Sequence, residues 1–83
     1  MPSSQEEIFS QLRSLLAKKL DLPEEEFSLE KTLRDDLDLD SMTLLEVVME
    51  IEIRFSIHLD QREADQWKNL GDLVQAISQR QTQ

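Results

Sequence analysis

The apolar positions in the first part of the chain repeat every three or four residues, which is the spacing of one face of an α-helix. They are Ile8, Leu12, Leu15, Leu16 and Leu20. Just before them, Ser4 and Glu7 have the Ser-x-x-Glu spacing of a capping box, in which side chains satisfy free backbone N–H groups of the first turn. The pattern predicts a first helix from about residue 4 to residue 20.

A different pattern follows between residues 22 and 40. Leu22-Pro23 ends the helix, because the residue before a proline avoids the α region, and a short turn is expected over Glu24 to Phe27. Beyond this turn the leucines no longer keep a helical period; they are Leu29, Leu33, Leu37 and Leu39. We expect a long loop over 28–40 that these leucines hold against the core. Loops of this length within a compact domain are usually functional.

The strongest helical signal begins after this loop. Asp40 is a favoured N-cap residue, and the residues from Ser41 to Phe55 are strongly helix-forming. At about 100° per residue, this second helix has a core face made of Leu44, Val47, Val48, Ile51 and Phe55. The same projection gives a second apolar arc on roughly the opposite side, here called the apolar strip, made of Met42, Leu45, Met49 and Ile53.

The apolar strip has two explanations. In a small bundle, the third helix or the long loop can cover the far side of a central helix. Alternatively, the strip is a docking surface, where methionines contact partner proteins and the carboxylates of Glu46 and Glu52 at its edge steer basic partners. We favour the docking surface, because a flexible methionine side chain can repack against several partners.

Two further helices are predicted in the last third of the chain. A cap pairing of Asp60 with Glu63 starts a short third helix that ends near residue 67. A second pairing, of Asn69 with Asp72, starts a fourth helix that ends near residue 80. The terminal residues 1–3 and 81–83 are expected to be frayed. Together these elements predict an all-α fold, a four-helix bundle with three longer helices and one short one.

The composition fits one small helical domain and argues against an enzyme. With 83 residues and a single glycine, the chain has room for one domain, residues 1–83, and too few turn residues for an all-β fold. A domain of this size buries only about 60–65% of its unfolded surface, which leaves little room for a deep active-site cleft.

The same composition suggests where the protein works. The absence of cysteine fits a reducing compartment, so we expect a cytoplasmic protein. The first residues lack the basic-then-apolar order of a signal peptide, and no apolar run approaches the length that spans a bilayer. We therefore expect no targeting segment and no membrane insertion.

The formal net charge of −9 is concentrated in one segment. From residue 35 to residue 52 there are seven acidic residues and no basic one, which leaves −2 for the rest of the chain. The seven are Asp35, Asp36, Asp38, Asp40, Glu46, Glu50 and Glu52. Such a charge repels nucleic acid and anionic lipid, and it predicts partner proteins with basic surfaces. We expect the chain itself to be a monomer.

No arrangement of side chains predicts a metal site or a catalytic centre. The alternate aspartates from Asp36 to Asp40 resemble the start of an EF-hand calcium loop, but the sixth position is Ser41 instead of glycine and the twelfth is Val47 instead of glutamate. The only histidine, His58, has no obvious nucleophile beside it, so no hydrolytic triad can be assembled. We predict no catalytic residue and no metal ligand.

Asp40-Ser41-Met42 is the motif that carries a chemical prediction. As a bare tripeptide it is also what an ordinary helix start looks like. Its position is more informative, because Ser41 would be exposed in the first turn of the second helix, beside the apolar strip and at the positive end of the helix dipole. A phosphodiester on its hydroxyl would be stabilised there by roughly 0.3–1 kcal/mol. The site suits a serine that carries a phosphate.

On these residues the sequence resembles the acyl carrier protein family over nearly its whole length. The resemblance rests on the opening helix, the loop with Leu33 and Asp35-Asp36-Leu37, the Asp40-Ser41-Met42 motif, the helix that ends Val47-Val48-Met49-Glu50-Ile51-Glu52 to Phe55, and Glu63-Ala64-Asp65 before a last amphipathic helix. It implies a carrier without catalytic activity, whose Ser41 is esterified with 4′-phosphopantetheine by a separate phosphopantetheinyl transferase. It also implies that Asp40 lies at the metal and recognition site of that transferase, and that the second helix is the recognition helix.

The resemblance further implies how the protein is used. The thiol of the arm holds acyl groups as thioesters for enzymes of a fatty-acid, polyketide or related pathway, such as a ketosynthase, acyltransferase, reductase or dehydratase. Partner contacts are then expected at carboxylates and along the apolar strip, namely at Asp36, Asp38, Met42, Leu45, Glu46, Met49, Glu52 and Ile53. Such contacts are weak, salt-sensitive and brief, as a shuttle requires.

The sequence departs from the common family pattern at several positions. Asp38 stands where many members have glycine, and Thr43 where many fatty-acid carriers have an acid. Ile53-Arg54 replaces part of a glutamate run, and Arg62 adds a positive charge to the third helix. We interpret these changes as favouring a dedicated pathway, such as a polyketide, aryl polyene or modified-lipid system. A peptidyl or D-alanyl carrier remains an alternative, as does an unmodified helical adaptor that binds through the apolar strip.

Overall fold

The computed structural model describes residues 4–81. Its first helix, α1, spans Gln5–Leu20. The Oγ of Ser4 accepts a hydrogen bond from the backbone N–H of Glu7 at 3.2 Å, which satisfies one of the N–H groups that have no partner within the helix. At the other end, Asp21 adopts a left-handed conformation with φ of 56°. The predicted first helix and its Ser4 cap are confirmed, but within residues 4–81 the Glu7 side chain does not bond the backbone of Ser4, so the capping box is only half formed.

The central helix, α2, spans Ser41–Phe55 and has the predicted bounds. Asp40 caps it, because its Oδ1 accepts a hydrogen bond from the backbone N–H of Thr43 at 2.7 Å. The helix ends at Ser56, which takes the left-handed conformation common at helix C-termini.

The remaining helices are two 3₁₀ helices and one α-helix. The first 3₁₀ helix, η1, spans Glu24–Glu26 at the predicted turn, and the second, η2, spans Gln61–Gln66 at the predicted short third helix. The last helix, α3, spans Leu70–Gln81, so Gln81, which was expected to be frayed, belongs to it. The other positions expected to be frayed, 1–3 and 82–83, lie outside the described residues. The all-α, four-helix architecture is confirmed.

The caps of the last two helices differ in how closely they follow the prediction. At α3, the Asp72 N–H donates to the Asn69 Oδ1 at 2.9 Å, as the pairing of these residues predicts. At η2, Asp60 accepts from the N–H of Arg62 at 2.9 Å. The Glu63 side chain does not take part in this cap; its carboxylate lies 3.5 Å from the Arg80 guanidinium of α3 instead.

The long loop before α2 is held by its backbone as well as by leucines. Leu33, Leu37 and Leu39 are buried as predicted, but the expectation for Leu29 is wrong, because its side chain is 45% exposed. Leu29 anchors the loop through its backbone carbonyl, which accepts a hydrogen bond from the N–H of Gly71 at 2.9 Å. An isolated antiparallel bridge between residues 32 and 69 extends this contact, so the loop is fastened to the start of α3.

The core is one cluster of apolar side chains from the three α-helices, the loop and the connections between them. From α2 it takes the predicted face, Leu44, Val47, Val48, Ile51 and Phe55. The buried aromatic residues Phe27, Phe55 and Trp67 belong to it, and Phe9 packs against it partly buried. No polar or charged residue among those described at 4–81 is buried.

No helix in the described part of the chain combines the length and the apolar composition needed to cross a bilayer.

Asp38 provides a test of backbone strain next to α2. Its φ of 54° lies in the left-handed region, where a β-branched side chain clashes with the backbone and glycine does not. We expect Asp38→Val to lower the free energy of unfolding by about 1–2 kcal/mol, and Asp38→Gly to leave it unchanged or raise it, as measured by urea denaturation. Asp35→Val is the control, because Asp35 is an exposed aspartate of the same loop without a positive φ. Equal losses in the two valine variants would contradict the role of strain.

Candidate functional site

Ser41 is the first residue of α2 and its side chain is exposed. Within residues 4–81 its hydroxyl makes no hydrogen bond. The side chain that caps α2 is that of Asp40, so the Ser41 hydroxyl is not needed for the cap. Asp40 satisfies an N–H group of the first turn that an apolar residue at the cap position would leave without a partner. The cap therefore fixes where α2 starts, and with it the position of the Ser41 hydroxyl. The arrangement leaves the Ser41 oxygen open to solvent and to another protein.

The carboxylate of Asp40 is held beside Ser41 in its ionised form. The pKa of Asp40 is lowered chiefly because its carboxylate accepts a hydrogen bond from the backbone N–H of Thr43, with a smaller contribution from the N–H of Met42. The side chain is therefore folded back onto the helix start while remaining exposed. It supplies negative charge next to the exposed Ser41 side chain.

The chain places no histidine near Ser41 that could activate its hydroxyl. His58, the only histidine, is exposed, and its Nδ1 lies 3.1 Å from the Oε2 of Glu52. Glu52 is about 17 Å further along α2 than Ser41, at a rise of about 1.5 Å per residue. Ser41 thus lacks the adjacent imidazole base of a hydrolytic serine.

The loop that leads to Ser41 carries two of the predicted partner-binding carboxylates. Asp36 and Thr32 bond each other reciprocally, because each side chain accepts the backbone N–H of the other at 2.9 Å. The hydrogen bond from the Thr32 N–H is also the main reason that the pKa of Asp36 is lowered. Both Asp36 and Asp38 are exposed, so they remain accessible although Asp36 also stabilises the loop. Their role in partner binding stays a prediction.

The apolar strip lies open on the surface of α2. Its residues are exposed by 71% at Met42, 38% at Leu45, 52% at Met49 and 79% at Ile53. Neither η2 nor the long loop covers them, so the alternative of a fully covered central helix is wrong. The strip runs for about 17 Å from the turn that holds Ser41 toward the far end of α2. Large apolar side chains that are exposed along one side of a helix are typical of a contact surface.

The two glutamates predicted at the edge of the strip have different surroundings. Glu46 is exposed, but its carboxylate lies 3.3 Å from the ammonium group of Lys19 in α1. Glu52 is half-buried and accepts a hydrogen bond from the backbone N–H of Leu59 at 2.9 Å, which fastens the chain after α2. Lys19 was not predicted as part of the site, because its pairing depends on how two separate helices pack.

The carboxylates of Asp36 in the loop and of Asp40 at the start of α2 each accept a hydrogen bond from a backbone N–H group. Among residues 4–81, no group of three or more His, Cys, Asp or Glu side chains is arranged to hold a metal ion.

Comparison with known proteins identifies the family. Residues 10–77 match the family model for the phosphopantetheine attachment site, which is more than half of the chain. The chain belongs to the acyl carrier protein family. It is 35% identical to an acyl carrier protein of Thermotoga maritima over 78 residues, which cover 94% of this chain and 96% of that relative. It is 34% identical to one of Exiguobacterium sibiricum, with 89% of this chain and 94% of the relative covered.

A solved structure of an acyl carrier protein from Enterococcus faecalis shares the fold. Its TM-score with this chain is 0.78, and the match covers 94% of this chain and 99% of that one. Its sequence identity is 22%, so the likeness concerns the architecture. The arrangement of α1, the long loop, α2, η2 and α3 is therefore that of an acyl carrier protein.

Membership of this family establishes what kind of protein this is. Acyl carrier proteins are carriers without catalytic activity, and their cofactor is covalently attached 4′-phosphopantetheine. They interact with phosphopantetheinyl transferase and with biosynthetic enzymes. The residues at the start of α2 fit such a group, because the Ser41 hydroxyl is exposed and makes no hydrogen bond within residues 4–81.

The cap of α2 should make stability depend on pH. Because the pKa of Asp40 is lower in the folded state, its ionised form contributes fully above the ordinary aspartate pKa of about 3.9, and this contribution is lost as the pH falls through the folded pKa. We expect Asp40→Asn to be less stable than the wild type at neutral pH, and the gap to close as the pH falls below about 3.9. Urea midpoints measured across this pH range test the prediction.

The control for this measurement is Asp65→Asn, because Asp65 is an exposed aspartate of η2 whose carboxylate accepts no backbone hydrogen bond within residues 4–81. Both variants lose one negative charge, so the general effect of net charge cancels in the comparison. A gap between Asp40→Asn and Asp65→Asn that stays constant with pH would show that the Asp40 carboxylate does not titrate with folding.

Proposed function

We propose that Ser41 is the attachment point of 4′-phosphopantetheine and that the protein carries acyl intermediates on it between the enzymes of a fatty-acid, polyketide or related pathway. The observation that supports this most directly is the exposed hydroxyl of Ser41 at the start of α2, without a hydrogen bond in the described part of the chain. The thiol of the bound arm supplies the chemistry, since it holds an acyl group as a thioester.

The residues around Ser41 have separate tasks in this proposal. The start of α2 provides the positive end of a helix dipole for the phosphodiester, worth about 0.3–1 kcal/mol. Asp40 fixes this helix start and presents a carboxylate at the metal and recognition site of the transferase. The chain itself holds and presents the arm, while the transferase and the biosynthetic enzymes perform the bond-making steps.

We assign partner binding to the surface that begins at Ser41 and follows α2. The carboxylates of Asp36, Asp38, Glu46 and Glu52 attract basic docking surfaces, and the apolar strip provides contact area for a ketosynthase, acyltransferase, reductase or dehydratase. Exposed charges change the rate of encounter more than the final affinity, so complexes form quickly and dissociate quickly. The protein acts as a monomer in the cytoplasm, where such enzymes and coenzyme A are available.

The test is modification followed by loading. The purified protein is incubated with a broad-range phosphopantetheinyl transferase, coenzyme A and Mg²⁺, and its intact mass is measured. We expect the mass of one phosphopantetheine to be added, and peptide mapping to place it on the peptide that contains Ser41. An unmodified protein would favour the adaptor that binds through the apolar strip alone, and a different peptide would contradict the assignment of Ser41.

Loading experiments then separate the kinds of carrier. The modified protein is offered acyl donors and aminoacyl donors together with their ligases or transferases. We expect acyl thioesters to form, because the acidic α2 surface is the one that acyl-transferring partners use in this proposal. Loading with amino acids alone would favour a peptidyl or D-alanyl carrier.

A further inference from the structure

Lys19 joins the end of α1 to two carboxylates of α2. Its ammonium nitrogen lies 3.3 Å from the Oε2 of Glu46 and 3.4 Å from the Oε1 of Glu50. The lysine side chain is only 21% exposed, whereas those of Glu46 and Glu50 are 60% and 48% exposed. The side chain of Lys19 is therefore mostly covered, and the two carboxylates that pair with its ammonium group face solvent.

The three charges are arranged so that Lys19 reduces the field of α2. Glu46 and Glu50 are four residues apart on one helix, where like charges repel each other. Lys19 reaches both carboxylates from the last turn of α1. The hydrogen bond to Glu46, followed by the charge and hydrogen bond of Glu50, raises the pKa of Lys19. Lys19 is therefore ionised at neutral pH, and a partner that binds Glu46 meets a carboxylate that already has a cation.

We propose that Lys19 limits how strongly the carboxylates of α2 bind basic partners, because it pairs with Glu46 and Glu50 within the protein. A partner lysine or arginine must either displace Lys19 from Glu46 or share the carboxylate with it. The binding free energy that the partner gains is therefore only the difference between two ion pairs. Glu46 lies at the edge of the apolar strip, where it is placed to select partners. The proposal rests on the proposed function, because it concerns the surface from which Ser41 is presented.

Lys18 provides a closely matched control. It is the neighbouring residue of α1, it carries the same charge, and it is exposed. Lys18 makes no ion pair within residues 4–81. Lys18→Met and Lys19→Met therefore change the net charge of the protein equally, but only Lys19→Met releases Glu46 and Glu50.

The experiment measures modification of the apo protein by a phosphopantetheinyl transferase with a basic docking surface, with coenzyme A in excess. We expect Lys19→Met to lower the KM for the carrier about two- to fivefold relative to Lys18→Met at low ionic strength, with kcat unchanged, because one exposed ion pair is released for the partner. The difference should shrink as salt is added. Lys19→Arg should restore the wild-type KM, because arginine can bond the same carboxylates.

A second readout does not depend on turnover. Titration calorimetry measures the Kd of the apo protein for the transferase in the absence of coenzyme A. The Kd of Lys19→Met should be lower than that of Lys18→Met by the same roughly two- to fivefold factor as the KM. Two results would overturn the proposal. Equal effects of the two methionine variants would show that only net charge matters. A higher KM for Lys19→Met than for Lys18→Met would show that Lys19 positions Glu46 for partners. If the wild type is not modified at all, the proposed function fails first.

Discussion

Ser41→Ala should take up no phosphopantetheine under conditions that modify the wild-type protein completely. In the proposed function the arm is joined through the Ser41 oxygen, and alanine has no side-chain oxygen that could form the phosphodiester. The measurement is intact mass after incubation with transferase, coenzyme A and Mg²⁺. The expected difference is complete, whereas a residue that only helps recognition would reduce the rate.

The controls for this prediction distinguish a loss of modification caused by unfolding from one caused by removal of the hydroxyl. Ser41 is exposed at the first position of α2, and alanine is a strong helix former, so Ser41→Ala should change the free energy of unfolding by no more than about 0.5 kcal/mol. Ser14→Ala, at an exposed serine of α1, should be modified like the wild type. A mass gain in a well-folded Ser41→Ala variant would show that the arm is attached elsewhere.

Ile51→Ala should lower the free energy of unfolding by about 2–5 kcal/mol. The Ile51 side chain is fully buried in the core face of α2, so its truncation removes apolar burial and leaves a cavity among well-packed neighbours. A loss of this size is a large part of the roughly 5–15 kcal/mol that stabilises a small domain. Urea denaturation followed by circular dichroism measures it.

Ile53→Ala is the matched control, two residues further along the same helix. Its side chain is 79% exposed, so the same truncation should change stability by no more than about 0.5 kcal/mol. If Ile51→Ala does not fold, Ile51→Val should still show a loss of about 0.5–1.5 kcal/mol. Equal losses at the two positions would mean that both faces of α2 are packed, which would contradict an exposed apolar strip.

Local signals in the sequence predicted most of the helical structure. The caps at Ser4 and Asp40 were predictable, because each side chain bonds a backbone N–H three residues away and no distant residue is needed. The buried face of α2 followed from periodicity, since residues three and four apart share one side of a helix. The position of Ser41 at a helix start followed from these two signals.

The errors lie where one segment contacts another far away in the sequence. Leu29 was expected in the core, but the structure places its carbonyl against the N–H of Gly71 and leaves its side chain exposed. The carboxylate of Glu63 was expected to help cap the short helix, but it faces Arg80 of α3. In both cases the contact depends on packing between helices and loop, which no local spacing encodes.

The sequence by itself determined the helices, their caps, the two apolar faces of α2 and the serine that begins it, because these depend on the chemistry of residues within a few positions of one another. Only the tertiary structure decided that one of those faces stays uncovered and that Lys19 pairs with Glu46 and Glu50. Those outcomes depend on where α1, η2 and the long loop lie around α2, which is set by the packing of the whole core.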